Sequence, residues 1–423
     1  MAAIIPIKYY NTYVLKKIAP VRTDDYDWFV EESRIRGGYN NVQTGLSPRA
    51  FLKSENNASE TLGNSIIYSG VVNSRTGINQ TNQFPSGEDI TRTVDPSKGS
   101  IQKLYAEDTN LIIFQERKVN KALIDKDAIY TQEGQPVQTA SNVVIGGIIA
   151  YAGEFGISQN PESFAVYGYR KYFTDKDKGS VMRLSQDGLT EISNYGMYDF
   201  FRDQFLDLDS GKAVGGWDIH NKCYTLALVP DSVNFTPQTL SFNEMTKGWT
   251  SRYSYTPTHM FSVQNNFFST NSGNIYQHYS TAVNRANFYG VQYDSSIKTI
   301  FNANPSLVKS FKTINYEGGG NWTMSSLTTN EDSANAIAPF VMPTTLIEMQ
   351  NALLRNEFKQ KEDKYFANLI NTSASEQGEV VYGQSISGVK GFFATVDMTA
   401  TNTATSGTNE LFAVSLEYNE SSY

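Results

Sequence analysis

At 423 residues the chain exceeds the usual size of a single hydrophobic core, so two domains, or one repeat domain with an appendage, are expected. A hydrophobic share of 39% against 18% charged residues excludes a globally disordered chain, and a net charge of -8 argues against a phosphate-backbone partner, which needs Lys and Arg to displace counterions. The 26 Tyr and 24 Phe far outnumber the 4 Trp, a balance that favours strands and half-wet contact faces and so a mainly β protein.

Residues 1–100 read as an extended N-terminal region, with short apolar runs such as Ser65 to Val72 set among Asn, Thr, Ser and Gly. Met1 to Lys8 lacks a basic region followed by a long apolar core, so the chain is expected to fold in a cytoplasm. No run reaches the ~20 apolar residues of a membrane helix. The longest candidate, Val143 to Ala152, is broken by Gly146 and Gly147, and no membrane insertion is expected. Arg34, Arg36 and Tyr39 in one polar turn, and Arg75 in another, would be solvated in a free-standing domain. In an assembly they are interface candidates, because arginine and tyrosine are favoured contact residues.

Residues 101–325 hold a strand-turn-strand series. Ile101 to Tyr105, Asn110 to Glu116 and Val119 to Ile124 read as three strands, followed by one long strand over Ser163 to Phe173 and a pair, Val181 to Leu184 and Leu189 to Ile192. Later copies start at Gly215, at His259 and at Phe288. The plainest unit is a hairpin in which Thr239 to Phe242 turns through Asn243 and Gly248 into Trp249-Thr250-Ser251-Arg252-Tyr253. Trp249, Arg252 and Tyr253 join the interface candidates. Cys223, the single cysteine, lies in a strand-like run and reads as a buried hydrophobe. Units of roughly 40 residues built of short strands imply a β-propeller-like repeat domain, with β-sandwich domains as the alternative.

Residues 326–344 read as a linker, and 345–423 as a small module of one helix and several strands. Leu346, Met349, Leu353 and Phe358 recur near helical spacing between Thr345 and Lys361, with Thr345 and Glu348 forming a capping-box pattern. Short strands are expected at Glu379 to Tyr382, Ile386 to Val389, Gly391 to Met398 and Glu410 to Tyr418.

The residue types that carry catalysis are sparse. His220, His259 and His278 show no metal-ligand spacing, and neither a nucleophile elbow nor a phosphate-cradling loop is present. Two acidic loops, Asp175 to Gly179 and Asp207 to Gly211, place carboxylates two apart before a glycine, a fragment of calcium-loop spacing without the closing glutamate. Asp203, Asp207 and Asp209 are the weak metal candidates, and Asp207 and Asp209 would be the first carboxylates to test for a glycosidase. No cofactor and no catalytic residue is expected.

Three strings carry a resemblance: Lys364 to Ile370, Ser387 to Ala394 and Glu410 to Ser415. They resemble the closing region of structural proteins in tailed-bacteriophage virions, in particular the muzzle or stabilisation proteins of crAss-like phages and similar virion proteins of marine cyanophages. The hairpin from Phe242 to Tyr253, with Arg75 to Phe84 and Ser100 to Tyr105, extends the resemblance upstream. Glu362-Asp363-Lys364 departs from the family by standing where a Glu-Gly-Lys turn is expected. The resemblance implies a non-enzymatic part of the tail, connector or baseplate, built into a symmetric ring in the virion with other tail or connector proteins as partners. A receptor- or carbohydrate-binding module is the alternative; a host glycan would then stack on Trp217, Trp249 or Trp322.

Overall fold

The computed structural model describes residues 12–17, 28–34, 62–69, 72–73, 78–79, 90–107, 110–130, 136–208, 210–231, 236–334, 336–339, 357–372, 388–402 and 409–421. The chain divides into two compact units, Met1–His278 and Tyr279–Tyr423. The division falls inside the stretch read from the sequence as one strand-turn-strand domain.

Unit 1 is built from successive antiparallel meanders. The first sheet holds β1 (Ile101–Glu107), β2 (Asn110–Gln115), β3 (Val119–Tyr130) and β4 (Pro136–Ala150). The second holds β5 (Ala165–Tyr167), β6 (Arg170–Asp175), β7 (Ser180–Ser185) and β8 (Gly188–Glu191). After the helix α1 (Tyr198–Asp207) come β9 (Lys212–Asp218), β10 (Cys223–Val229), β11 (Gln238–Asn243) and β12 (Gly248–Tyr253). The three-stranded fourth sheet is β13 (His259–Val263), β14 (Asn266–Asn271) and β15 (Asn274–Gln277). Its last hairpin turns on Ser272 and Gly273, both at positive φ, the geometry that matches the twist of paired strands.

Alternation along each strand tells how the sheets stack. On β2, Ile112 and Phe114 enter a core with Phe173, Met182 and Leu184 of the second sheet, while Ile113 enters one with Ile66, Ala122 and Ile145. On β6, Phe173 faces that first core and Tyr172 faces the next, with Tyr224, Leu226 and Phe242 of the third sheet. Each central sheet is therefore covered on both faces, which is why its strands read as continuous apolar runs. Phe201 and Phe205 of α1, one helical turn apart, close the core of the third sheet.

Unit 2 pairs strands distant in sequence. One sheet runs β16 (Ser295–Phe301), β24 (Ala394–Ala400), β18 (Trp322–Thr329), β19 (Ser333–Ala334). The other is centred on β17 (Lys309–Gly318). On one side of it lie β22 (Lys364–Asn368) and β23 (Val389–Gly391), and on the other β25 (Leu411–Glu420). Beyond β22 come β21 (Glu357–Lys361) and β20 (Ala338–Pro339). Both sheets face one core, in which Trp322, Met324, Val396 and Met398 meet Phe311, Ile314, Tyr316 and Phe358.

Mainly β architecture is thus what the chain adopts, and the sheets are open; no closed ring of blades is formed by the described residues. Four details differ from expectation. Ser163 to Phe173 is a hairpin rather than one strand, because Gly168 takes a positive φ and lets β5 turn into β6. The helix expected over Thr345 to Lys361 lies outside the described residues up to Asn356, and its end, Glu357–Lys361, is strand β21. Glu357 and Phe358 are buried there, and Lys359, Gln360 and Lys361 are exposed. The linker 326–344 carries β18, β19 and β20, with Leu327 in the core. The helix α1 was not foreseen.

Candidate functional site

The polar chemistry of unit 1 is concentrated where one sheet meets the next. Between the first and second sheets, the buried Lys171 ammonium donates to Glu107. Asp175 there has both carboxylate oxygens occupied. Oδ2 accepts from the Gly156 amide at 3.0 Å, while Oδ1 accepts from the Ser158 hydroxyl at 3.0 Å and the Lys178 amide at 3.3 Å. Burial raises the Asp175 pKa, and these donors oppose the rise.

Between the second and third sheets, Glu244 accepts from the Tyr172 hydroxyl at 2.7 Å and from Arg183 Nη1 at 2.9 Å. Burial, then that hydrogen bond, pushes the Tyr172 hydroxyl far above the ordinary tyrosine range. Tyr167, Trp217, Tyr172 and Tyr224 stack through this seam with centroid separations of 4.3, 5.5 and 4.9 Å. Each such contact contributes about 1 kcal/mol beyond area burial. The Tyr224 hydroxyl donates to the Ser163 carbonyl at 2.7 Å.

Glycine sets how closely these layers approach. A Cβ on Gly215 of β9 would stand 1.9 Å from the Ser163 carbonyl oxygen, and one on Gly216 would stand 2.4 Å from Met260 Cβ in the fourth sheet. The Ser262 hydroxyl donates to the Trp217 carbonyl at 2.5 Å, joining the third and fourth sheets.

A cleft of about 530 Å³ opens beside the first seam, lined by Lys98, Arg117, Glu154, Asp175 and Lys178 among others. Two lysines, Lys98 at 2.5 Å and Lys118 at 3.0 Å, hold the Glu154 carboxylate down to about 2. A general acid must carry a proton near the working pH and a general base must have a free lone pair. Glu154 is neutralised by two ammonium groups, and Asp175 is spent on the backbone of the adjoining turn. Its two carboxylates with resolved partners, Glu154 and Asp175, are thus held by lysines and by hydrogen-bond donors of the surrounding loops.

Residues 48–273 match the family described as crassvirus muzzle protein, and residues 283–372 match the crassvirus muzzle protein C-terminal domain. The chain belongs to the crassvirus muzzle protein family. Membership makes it a structural component of a phage particle. Comparison with curated proteins gives no match. Among solved structures, an exo-β-1,3-galactanase from Phanerochaete chrysosporium with β-1,3-galactotriose aligns over 84% of this chain and 100% of its own, at 9% identity and a TM-score of 0.19.

In the muzzle-family chain the sequence-derived candidates fall in different places. Trp249 is half-buried against Phe201 and Phe242, at 4.6 and 5.4 Å, and its indole N–H donates to the Ile192 carbonyl at 3.2 Å. Arg252 is exposed, its guanidinium 5.5 Å above the Phe200 ring. Tyr253 lies 5.4 Å from Tyr255, and burial raises its hydroxyl pKa. Arg34 ends a strand, Trp28–Arg34, paired with Thr12–Lys17. Arg36, Tyr39, Arg75 and Asp209 lie outside the described residues. Asp203 sits on α1 with its carboxylate on Arg202 at 2.8 Å, and Asp207 ends that helix. Among the described residues, no three His, Cys, Asp or Glu side chains gather as a metal site requires.

The stacking platform for a glycan needs correction. Trp217 and Trp322 are buried in the cores of their units, so neither presents a face to a sugar. Cys223 is buried as expected, and burial pushes its thiol up to about 11. Sequence reasoning missed the seam carboxylate Glu244. It stands at i+1 of a hairpin turn, where a charge reads as solvated unless the next sheet is known to cover it. No helix among the described residues is long and apolar enough to cross a membrane.

Proposed function

We propose that this protein is a non-enzymatic building block of the tail, connector or baseplate of a phage virion, assembling into a symmetric ring with copies of itself and with other virion proteins. The observation that carries this reading is the match to the muzzle family over both units. Two features of unit 1 support it. The meanders stack face to face, and their opening strands lie together, β5 against β9 and β9 against β13, as the inner strands of propeller-like blades do. Glu107 with Lys171, and Glu244 with Tyr172 and Arg183, tie one sheet to the next, which serves stiffness.

Quantitative mass spectrometry of purified particles tests the reading. The expected result is the chain in several copies per particle, in fixed ratio to the other tail proteins. Absence from the particle, or polysaccharide turnover that is lost on changing Asp203 or Asp207, would overturn it.

A further inference from the structure

Unit 2 exposes two long sheet edges. β16 pairs with β24 over all seven of its residues, without a bulge, and has no other strand beside it among the described residues. It contains no Gly or Pro, and Ile300 on it is 67% exposed. Natural edges of this kind are usually guarded by a charge standing over the open side. Here the charge is Lys298, and its ammonium turns inward to Asp397 of β24, at 3.5 Å. On the other sheet, β25 lines the outer side of β17 over ten residues and is likewise open on its far side among the described residues.

We propose that β16 of one copy pairs antiparallel with β25 of a second copy, joining the two unit 2 sheets into one continuous sheet between subunits. This rests on the ring reading above and names the surface that makes the ring. The occupant is fixed by charge and by register. Pairing β16 with itself in full overlap sets Lys298 against Lys298, since it is the central residue, and like charges directly opposite repel. Setting Lys298 against Glu417 places an ion pair at that position and seats all seven β16 residues within β25. The same register lays Thr299 and Phe301, on the core side of β16, beside Leu416 and Val414, which pack on the core from β25. The outward rows then coincide as well, Ile300 beside Ser415. A one-residue slip would put apolar residues of one strand on the polar face of the other. The contact joins two different edges, so a bonded pair still offers one free β16 and one free β25, and the assembly closes into a ring when the rotation permits.

The test is charge exchange in the full chain, read by analytical ultracentrifugation. Lys298→Glu and Glu417→Lys should each weaken self-association by about tenfold or more, and the double exchange should recover most of it. Ile300→Lys, at a position already open in the single chain, should weaken association with an unchanged circular dichroism spectrum, which guards against misfolding of Lys298→Glu beside Asp397. If the parent chain associates and the single exchanges associate equally well, or the double exchange is no better than either, this surface is wrong and the ring reading stands. A parent chain that stays monomeric at every concentration overturns both.

Discussion

The two units are both sheet structures with aromatic cores, yet they are put together by opposite means. Every sheet of unit 1 from β1 onward is a meander of sequence neighbours, and long-range order enters only where one sheet's face meets the next. In unit 2 the pairing itself is long-range, with Lys309 opposite Glu420 and Ser295 opposite Ala400. Unit 1 should therefore fail at its seams, and unit 2 as a whole.

The largest effect expected is for Gly215→Val, which drives a side chain into the Ser163 carbonyl where only 1.9 Å is available to the Cβ. It should cost about 4 kcal/mol or more and abolish the unfolding transition of unit 1 in a denaturant titration. A titration superimposable on the parent's would show that the seam is loose. Next is Met398→Ala, in the middle of β24 and fully buried, which should lower the transition of unit 2 by about 3 kcal/mol. Unit 1 melting at an unchanged midpoint sharpens the comparison; both units shifting together breaks it.

A pH effect comes third and belongs to unit 1 alone. Burial lowers His278 from 6.5 to about 4, its ring packed against Tyr255 and Phe267 with Nε2 2.6 Å from the Ser269 hydroxyl. Between those two values the unfolded chain binds the proton and the folded chain does not. Stability is therefore full above pH 6.5 and falls as pH drops toward 4, by about 2 kcal/mol at pH 5. Melting curves of His278→Phe should lose that slope; an equal slope in the variant would assign it elsewhere. The smallest effect is for Trp249→Phe, which keeps the ring among Phe201 and Phe242 but removes the indole donor to Ile192. About 1 kcal/mol is expected, and a loss several times larger would mean that ring shape, not the hydrogen bond, sets that seam.

The same contrast decides what could be read from the sequence. The hairpin from Gln238 to Tyr253 was legible because its signals are local: alternation in the strands, and Asn243 at the turn, whose side chain accepts from the Met245 and Thr246 amides. Phe358 shows the opposite case. Its neighbours Leu353 and Leu354 favour a helix, but β21 is held by β22, and the pairing of Gln360 with Tyr365 outweighs local preference. The short turn between those strands is made by Glu362 at positive φ, where the family pattern has glycine next in line. Helix α1 was missed because Phe200 and Phe201 sit in an aromatic run that reads equally as strand; the period shows only when Phe201, Phe205 and Leu208 are seen in one core. The seam pairs were invisible for a plainer reason: Glu244 and Tyr172 are 72 residues apart, and no local pattern announces their meeting.

In the proposed role the protein works through faces shared with neighbours in a phage particle. A reconstruction of the intact virion, with this chain placed in the density, tests it most directly. The expected result is a ring of copies around the tail axis with β16 of each alongside β25 of the next; a lone copy whose sheets touch no neighbour, or a particle without the chain, would rule the proposed role out.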